Sequence, residues 1–226
     1  MCRLTAAHRQ IGYNQATVSA IQRPQDFHFG LSGGHLALDF ANTLSRRDSP
    51  EKNREHLSTA RDLISFARQT ALLPSEQAAA LTRNTESHSR VATQALREAI
   101  AFREAIFHTF LSVATDRPVF ERDVQLIEKS AQDALRHRHI VGDGNNYRWR
   151  WDEELGLQRI LWPIAQSAAE LLTSPDLKKV RECQASDCFW LFLDNSRNRS
   201  RRWCSMDSCG NREKARRHYH RQREHE

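Results

Sequence analysis

The clearest chemistry in this sequence belongs to four cysteines near its C-terminal end. Four residues separate Cys183 from Cys188, four separate Cys204 from Cys209, and fifteen lie between the two pairs. Two close pairs on one segment can supply the four soft ligands of a tetrahedral zinc ion. Four thiolates fill that coordination sphere, so we expect one structural Zn²⁺ without an open catalytic position. An iron–sulfur cluster and disulfide-linked or simply buried cysteines are the alternatives, and the paired spacing favours zinc.

The same segment concentrates positive charge. Residues 195–226 hold ten arginine and lysine side chains against four acidic ones, which accounts for the whole formal charge of +6, so residues 1–194 are balanced. Concentrated positive charge attracts a polyanion through counterion release. We therefore predict that nucleic acid is bound by Arg197, Arg199, Arg201, Arg202, Arg212, Lys214, Arg216 and Arg217. The alternative is a solvated cationic surface that contacts nothing specific.

Two elements must position these side chains. A short strand within Trp190–Leu193 is expected to cover the metal, and a helix is expected from Gly210-Asn211 to about Gln222. Ala215 and Tyr219 share one ridge of that helix and are predicted to pack on the metal module. Arg212 and Arg216 are then candidates for contacting base edges, and the loop arginines for contacting phosphates. Three histidines, His218, His220 and His225, are expected on the surface or in packing roles.

The residues before this module are mostly helical. Apolar side chains at spacings of three and four predict helices over 36–44, from Ser58 or Thr59, from Ser75, over 89–114, over 124–135 and over 152–172. A short strand is expected at 27–29 and a hairpin over 139–151 with a half-buried second arm. The predicted fold class is predominantly α (α+β), with a small antiparallel element and a treble-clef or ribbon-like zinc module that ends in a helix.

Composition limits the function classes. The 226 residues contain no apolar run long enough to span a membrane, and the N-terminal residues lack the apolar core of a secretory signal, which favours a cytoplasmic location. We find no nucleophile–base pair or phosphate loop, so we expect no enzyme activity. Glu104 and His108 have a metal-ligand spacing, but a full ligand set is missing.

The C-terminal segment resembles the CGNR zinc finger family. The signature is Cys209-Gly210-Asn211-Arg212, and it is accompanied by the cysteine pairs, by Leu193-Asp194 and by Ser200-Arg201-Arg202. In that family the finger follows a mostly helical ABATE domain, whose opening motif is similar to residues 29–43. The resemblance implies a stress-responsive transcription regulator. It divides residues 25–223 into an ABATE-like sensor domain (25–176) and a zinc finger (180–223), and residues 1–24, which show no clear period, are expected to form a loose arm.

A sensor needs a ligand site, and the best candidates are polar residues beside the Gly33-Gly34 turn: His35, Asp39, Asn42 and Thr43. Asp39 is suited to a ligand cation or hydroxyl. The alternative is that Asp39 and Asn42 satisfy backbone groups of the turn. Arg103 and His108, within a mostly apolar helix, either line a cavity or are partly exposed or paired charges.

The function that these observations favour is a DNA-binding transcription regulator, with the helical domain as a ligand or stress sensor or a dimerisation unit. The alternatives are an RNA-binding or ribosome-associated zinc module and a protein–protein adaptor. The expected partners are DNA, with RNA as the alternative, a small-molecule signal and a second copy of the chain; no membrane partner is expected.

Overall fold

The computed structural model describes residues 27–49, 51–153 and 156–223. These ranges contain seven α-helices and three two-stranded antiparallel sheets, which confirms the predominantly α fold class. The predicted arm over residues 1–24 and His225 lie outside the described residues. No helix in the described part of the chain combines the length and apolar character needed to cross a bilayer.

The elements follow in this order: α1 (Leu36–Ala41), β1 (Leu44–Ser45), β2 (Arg54–Glu55), α2 (Ala60–Gln69), α3 (Ser75–Ser87), α4 (Ser89–Ala114), α5 (Glu121–Arg136), β3 (Arg138–Asp143), β4 (Asn146–Trp151), α6 (Gln158–Thr173), a 3-10 turn (Pro175–Lys179), β5 (Val180–Glu182), β6 (Leu191–Leu193), a π turn (Met206–Gly210) and α7 (Asn211–Arg223). The sheets pair β1 with β2, β3 with β4, and β5 with β6.

Local sequence signals set several of these bounds. Thr59 caps α2 by accepting from the Asp62 N–H, while the Asp62 carboxylate accepts from the Thr59 N–H, which together form a capping box. The predicted bounds of α4 match the structure, because its apolar residues keep the helical period over 26 residues. As expected, α2 ends before Pro74 and α4 ends before Pro118.

Four predictions about local structure were wrong, one of which is the start of α6, predicted at residue 152 and found at Gln158. Residues 27–29 form no strand, because the Phe29 N–H and the Phe27 carbonyl pair with the Gln69 side chain instead of with a second strand. The first helix ends at Ala41, and Leu44 begins β1 opposite Glu55. The hairpin of β3 and β4 does form, but its second arm is largely exposed, and Trp149 has 56% of its surface accessible.

Arg103 is a buried charged residue inside the helical body. Its side chain is fully buried within α4, and it donates two hydrogen bonds to the Glu55 carboxylate at 2.6 and 2.8 Å and one to Glu104 at 2.8 Å. The interpretation of Arg103 as a paired charge is thus confirmed, although it is not exposed. Glu104 also binds Arg47, so this carboxylate serves an ion-pair network that attaches the β1–β2 loop to α4.

The hydrophobic core continues from the helices into the C-terminal strands. Val180 of β5 and Leu191 and Leu193 of β6 are buried in the same cluster as Leu38 and Phe40 of α1. A second cluster surrounds the four cysteines and contains Phe192, whose side chain lies on the opposite face of β6. Strand β6 therefore contributes alternate side chains to the helical body and to the cysteine cluster.

Candidate metal centre and nucleic-acid interface

The four cysteine sulfurs converge on one buried point. Cys183, Cys188, Cys204 and Cys209 are 2–8% exposed, and their Sγ atoms all lie within 4.8 Å of one another. The Cys188–Cys204 and Cys204–Cys209 separations are both 3.6 Å. A disulfide would need about 2 Å. A tetrahedron with Zn–S bonds of about 2.3 Å has edges of roughly 3.8 Å. The sulfur geometry therefore fits a single structural Zn²⁺.

The β5–β6 hairpin positions the first cysteine pair. The Cys183 N–H donates to the Trp190 carbonyl at 2.8 Å, which closes the loop that carries Cys188. The Cys204 N–H in turn donates to Cys183 Sγ at 3.3 Å, which brings the second pair to the first. This N–H points its partial positive charge at the Cys183 sulfur, which stabilises the thiolate that a metal requires.

Two acidic residues hold helix α7 against the metal module: Asp187 beside the first cysteine pair, and Glu213 on the helix, which accepts from the Ser186 N–H at 3.2 Å and the Ser186 hydroxyl at 3.1 Å. Asp187 accepts from the Arg212 guanidinium at 2.8 and 3.1 Å and from Arg216 at 2.7 Å. Burial acts to raise the pKa of Asp187, but these bonds from Arg216 and Arg212 outweigh it and lower the pKa. Arg212 also donates to Cys209 Sγ at 3.3 Å, where its charge stabilises a thiolate.

This clamp changes the roles predicted for the helix. Arg212 and Arg216 were expected to contact base edges, but both guanidinium groups are bound to Asp187. Ala215 and Tyr219 were expected to pack on the module, but Ala215 is exposed and Tyr219 is 57% exposed. The ridge prediction failed because the inward face of α7 is polar and is held by ion pairs.

The arginine loop also has internal anchors. Asp194 is fully buried and accepts from the Ser196 N–H at 2.9 Å, the Ser196 hydroxyl at 2.5 Å and the Arg201 N–H at 3.0 Å. The Arg201 guanidinium donates to the Trp203 and Cys204 carbonyls and lies 4.6 Å from the Phe192 ring. Arg202 donates to Gln184 at 2.7 Å. The loop is therefore a fixed structure in which Arg201 and Arg202 help to close the metal module.

A second set of cations faces outward. Arg197, Arg199 and Lys214 are exposed, and within the described residues their side chains make no hydrogen bond or ion pair. Arg217 and Arg221 are also exposed and make single long contacts of 3.4 Å to carbonyls of their own helix. The eight predicted nucleic-acid residues thus divide into four bound within the module and four available to a partner.

The four polar residues predicted as a ligand site near the glycine turn make hydrogen bonds to different parts of the fold. Asp39 Oδ1 accepts from the Gly33 N–H at 2.7 Å, and Asn42 binds the backbone of Leu191 in β6. Thr43 donates to the Phe40 carbonyl at 2.7 Å. Asp39, Asn42 and Thr43 border one cleft, whereas His35 lies near Ser167 of α6, 3.2 Å from its hydroxyl. The structure therefore separates His35 from the other three.

Several residues of this site were missed by sequence reasoning, because they belong to no recognisable motif. Asp187 and Ser186 lie between the first two cysteines, and their partners on α7 are 25–30 residues away. Asp194 was noted only as part of a resemblance, and Trp190 as a cover for the metal. No arginine or lysine lies between Glu182 and Asp194, so the local sequence carried no signal for the Asp187 clamp.

Two family models match the chain in sequence order. The ABATE family, described as "putative stress-induced transcription regulator", matches residues 34–175, and the CGNR zinc finger matches residues 179–222. The second range contains all four cysteines, Asp187 and all of α7 except its last residue. A comparison with curated proteins found no match.

Proposed function

Since the chain belongs to the ABATE family and carries a CGNR zinc finger, we propose that it is a transcription regulator that binds duplex DNA through the outward cations of the finger. The zinc ion has a structural role in this proposal, and no catalytic activity is assigned to the chain. The helical body regulates the finger.

The observation that carries the proposal is the division of the cations into two sets. Arg212 and Arg216 neutralise Asp187 and fix the orientation of α7. Lys214, Arg217 and Arg221 recur at spacings of three and four, so they share one side of the helix, away from the face that meets Asp187. Positive side chains on a rigid support are available to phosphates without the loss of an internal contact.

The finger loop adds to this surface. Arg197 and Arg199 stand between Asp194 and Arg201, which are joined by the hydrogen bond from the Arg201 N–H. Asp194 thereby holds the loop while leaving both arginines exposed. Because the loop is already ordered, it loses less conformational entropy on binding, which favours phosphate contact by Arg197 and Arg199.

The regulatory part of the proposal is supported by the shared core. Val180, Leu191 and Leu193 of the finger pack among the helices of the body, and Asn42 hydrogen-bonds to β6. A change in the body at α1 would therefore be transmitted to the strand beside the metal module. This contact gives the body a physical route to the finger.

The test is the salt dependence of binding by the zinc-loaded full chain, measured by fluorescence anisotropy with labelled duplex DNA, structured RNA and a random-sequence duplex. We expect the logarithm of the affinity for the duplex to fall linearly with the logarithm of the salt concentration, with a slope of about −4.5 for about five phosphate contacts. Tighter binding to RNA than to any duplex would contradict the choice of DNA. No binding to either at low salt would overturn the proposal in favour of a protein partner.

A further inference from the structure

A cleft of about 170 Å³ lies where the helical body meets the finger. Its walls come from both parts: the segment before α1, the side of α1, the β1–β2 region and Trp190 of the finger. The lining residues include Phe27, Gly30, Asp39, Asn42, His56 and Trp190. An engineered apolar cavity of about 150 Å³ accommodates benzene, so this cleft has room for a ligand of roughly that size.

One carboxylate faces this cleft. Asp39 Oδ1 accepts from the Gly33 N–H at 2.7 Å, and a side chain at position 33 would crowd this contact, since a Cβ would lie 2.9 Å from Oδ1. Within the described residues, Asp39 has no ion-pair partner, and its second oxygen accepts no hydrogen bond. A half-buried carboxylate without a cation beside it is an attractive position for a positively charged ligand.

Aromatic rings form the other walls. Phe27 stacks on His56 at 4.9 Å, and the Trp190 indole N–H donates to Ser45 at 3.2 Å. The same Ser45 hydroxyl lies 3.0 Å from His56 Nε2, so both rings are held by one side chain. Trp190 lies so close to Gly30 that a Cβ there would be 2.5 Å from the indole. Fixed aromatic faces beside a carboxylate suit an organic cation, which gains cation–π as well as charge interactions.

We propose that this cleft binds a small organic cation, an alkylammonium or guanidinium group with few heavy atoms, between Asp39 and Trp190. The cation would pair with the Asp39 carboxylate and lie against the aromatic walls. Trp190 stands two residues from Cys188, and Asn42 on the same cleft binds Leu191, so the ligand touches the residues that join body and finger. This deepens the proposed regulatory function of the body and rests on it only for the effect on DNA binding.

The test uses the zinc-loaded full chain labelled with ¹⁵N. The indole N–H signal of Trp190, assigned with a Trp190→Phe variant, is followed during titration with methylguanidinium, ethylammonium and tetramethylammonium chlorides. N-methylurea, a neutral isostere of methylguanidinium, is the control ligand. We expect a saturable shift with at least one cation and none with N-methylurea. The titrations themselves use the unmodified chain, and the Trp190→Phe variant serves only to assign the signal.

Asp39→Asn keeps an oxygen that accepts from the Gly33 N–H and removes the charge, and we expect it to weaken cation binding at least tenfold. Asp48→Asn, at an exposed position of the β1–β2 loop, is the matched control and should bind as the unmodified chain does. Equal binding by Asp39→Asn, equal binding of N-methylurea, or no saturable shift with any cation would overturn the inference. None of these measurements contains DNA, so their outcome is independent of a failure of the DNA proposal.

Discussion

The side-chain amide of Asn42 and the backbone of Leu191 hydrogen-bond to each other in both directions. Asn42 Nδ2 donates to the Leu191 carbonyl at 2.8 Å, and the Leu191 N–H donates to Asn42 Oδ1 at 2.9 Å. The two residues are 149 positions apart and both are buried. Asn42 thus occupies the edge of β6 as a neighbouring strand would, and it joins the helical body to the zinc finger.

Removal of the Asn42 amide should destabilise the contact between the helical body and the zinc finger. Asn42→Ala leaves the buried N–H and carbonyl of Leu191 without partners, and each unsatisfied group costs about 1–3 kcal/mol. We expect a loss of about 2–5 kcal/mol in the free energy of unfolding, measured by urea denaturation. Asn53→Ala, at an exposed position of the β1–β2 loop, is the control and should change stability by less than about 0.5 kcal/mol. Equal losses for the two variants would contradict the role given to Asn42.

Removal of zinc should destabilise the body as well as the finger. Metal supplies on the order of 10 kcal/mol to small structural sites, so a strong chelator should unfold the cysteine cluster. Val180, Leu191 and Leu193 would then leave the shared core. A loss of about 4 kcal/mol from the body lowers its melting temperature by roughly 8–16 °C, which calorimetry would detect. A body transition unchanged by chelation would show that the two parts are energetically independent, and added zinc should restore the original curve.

The two sets of cations should respond differently to the same loss of charge. Lys214→Gln with Arg217→Gln should reduce the salt slope of DNA binding by about 2, because two phosphate contacts are lost, while leaving the melting temperature unchanged. Arg212→Gln with Arg216→Gln leaves Asp187 half-buried without a cation, and it should destabilise the finger.

The measurements are anisotropy across a salt series and thermal unfolding of both double variants, with zinc content determined for each. The sequence interpretation, in which Arg212 contacts bases, makes the opposite prediction: Arg212 variants would lose sequence preference without a change in stability. That result would contradict the clamp.

The pH dependence of stability should report Asp39. Burial raises the pKa of Asp39 from 3.8 to about 6, although the Gly33 N–H acts to lower it. The folded state therefore prefers the protonated form, and this contribution to stability is complete below pH 3.8 and is lost as the pH rises through about 6. Since Asp39 is partly exposed, we expect a loss of only about 1–2 kcal/mol.

Asp39→Asn cannot ionise and should remove this loss. Its unfolding free energy, relative to the unmodified chain, should rise by about 1–2 kcal/mol between pH 4.5 and pH 7.5. Urea denaturation at the two pH values checks the difference, which cancels the titration of the other groups. A pH-independent difference between the two chains would mean that Asp39 ionises in the folded state as it does in water.

The sequence by itself determined the features that depend on neighbouring residues. The two cysteine pairs predicted the metal centre, because ligands on short turns meet wherever the chain folds around one ion. Helix α4 followed from its apolar period, and the start of α2 from the choice between Ser58 and Thr59 as its cap. The cationic character of the finger followed from composition alone.

Only the tertiary structure decided which cations are available and which residues join the two parts. Asp187 selects Arg212 and Arg216 from the six arginine and lysine residues of α7, and Asn42 reaches Leu191 across 149 positions. Asp39 and Trp190 line the same cleft, although no sequence motif links the two residues. These relationships are set by packing between distant segments, whereas the spacing of residues along a chain fixes only contacts within a turn, a helix or a hairpin.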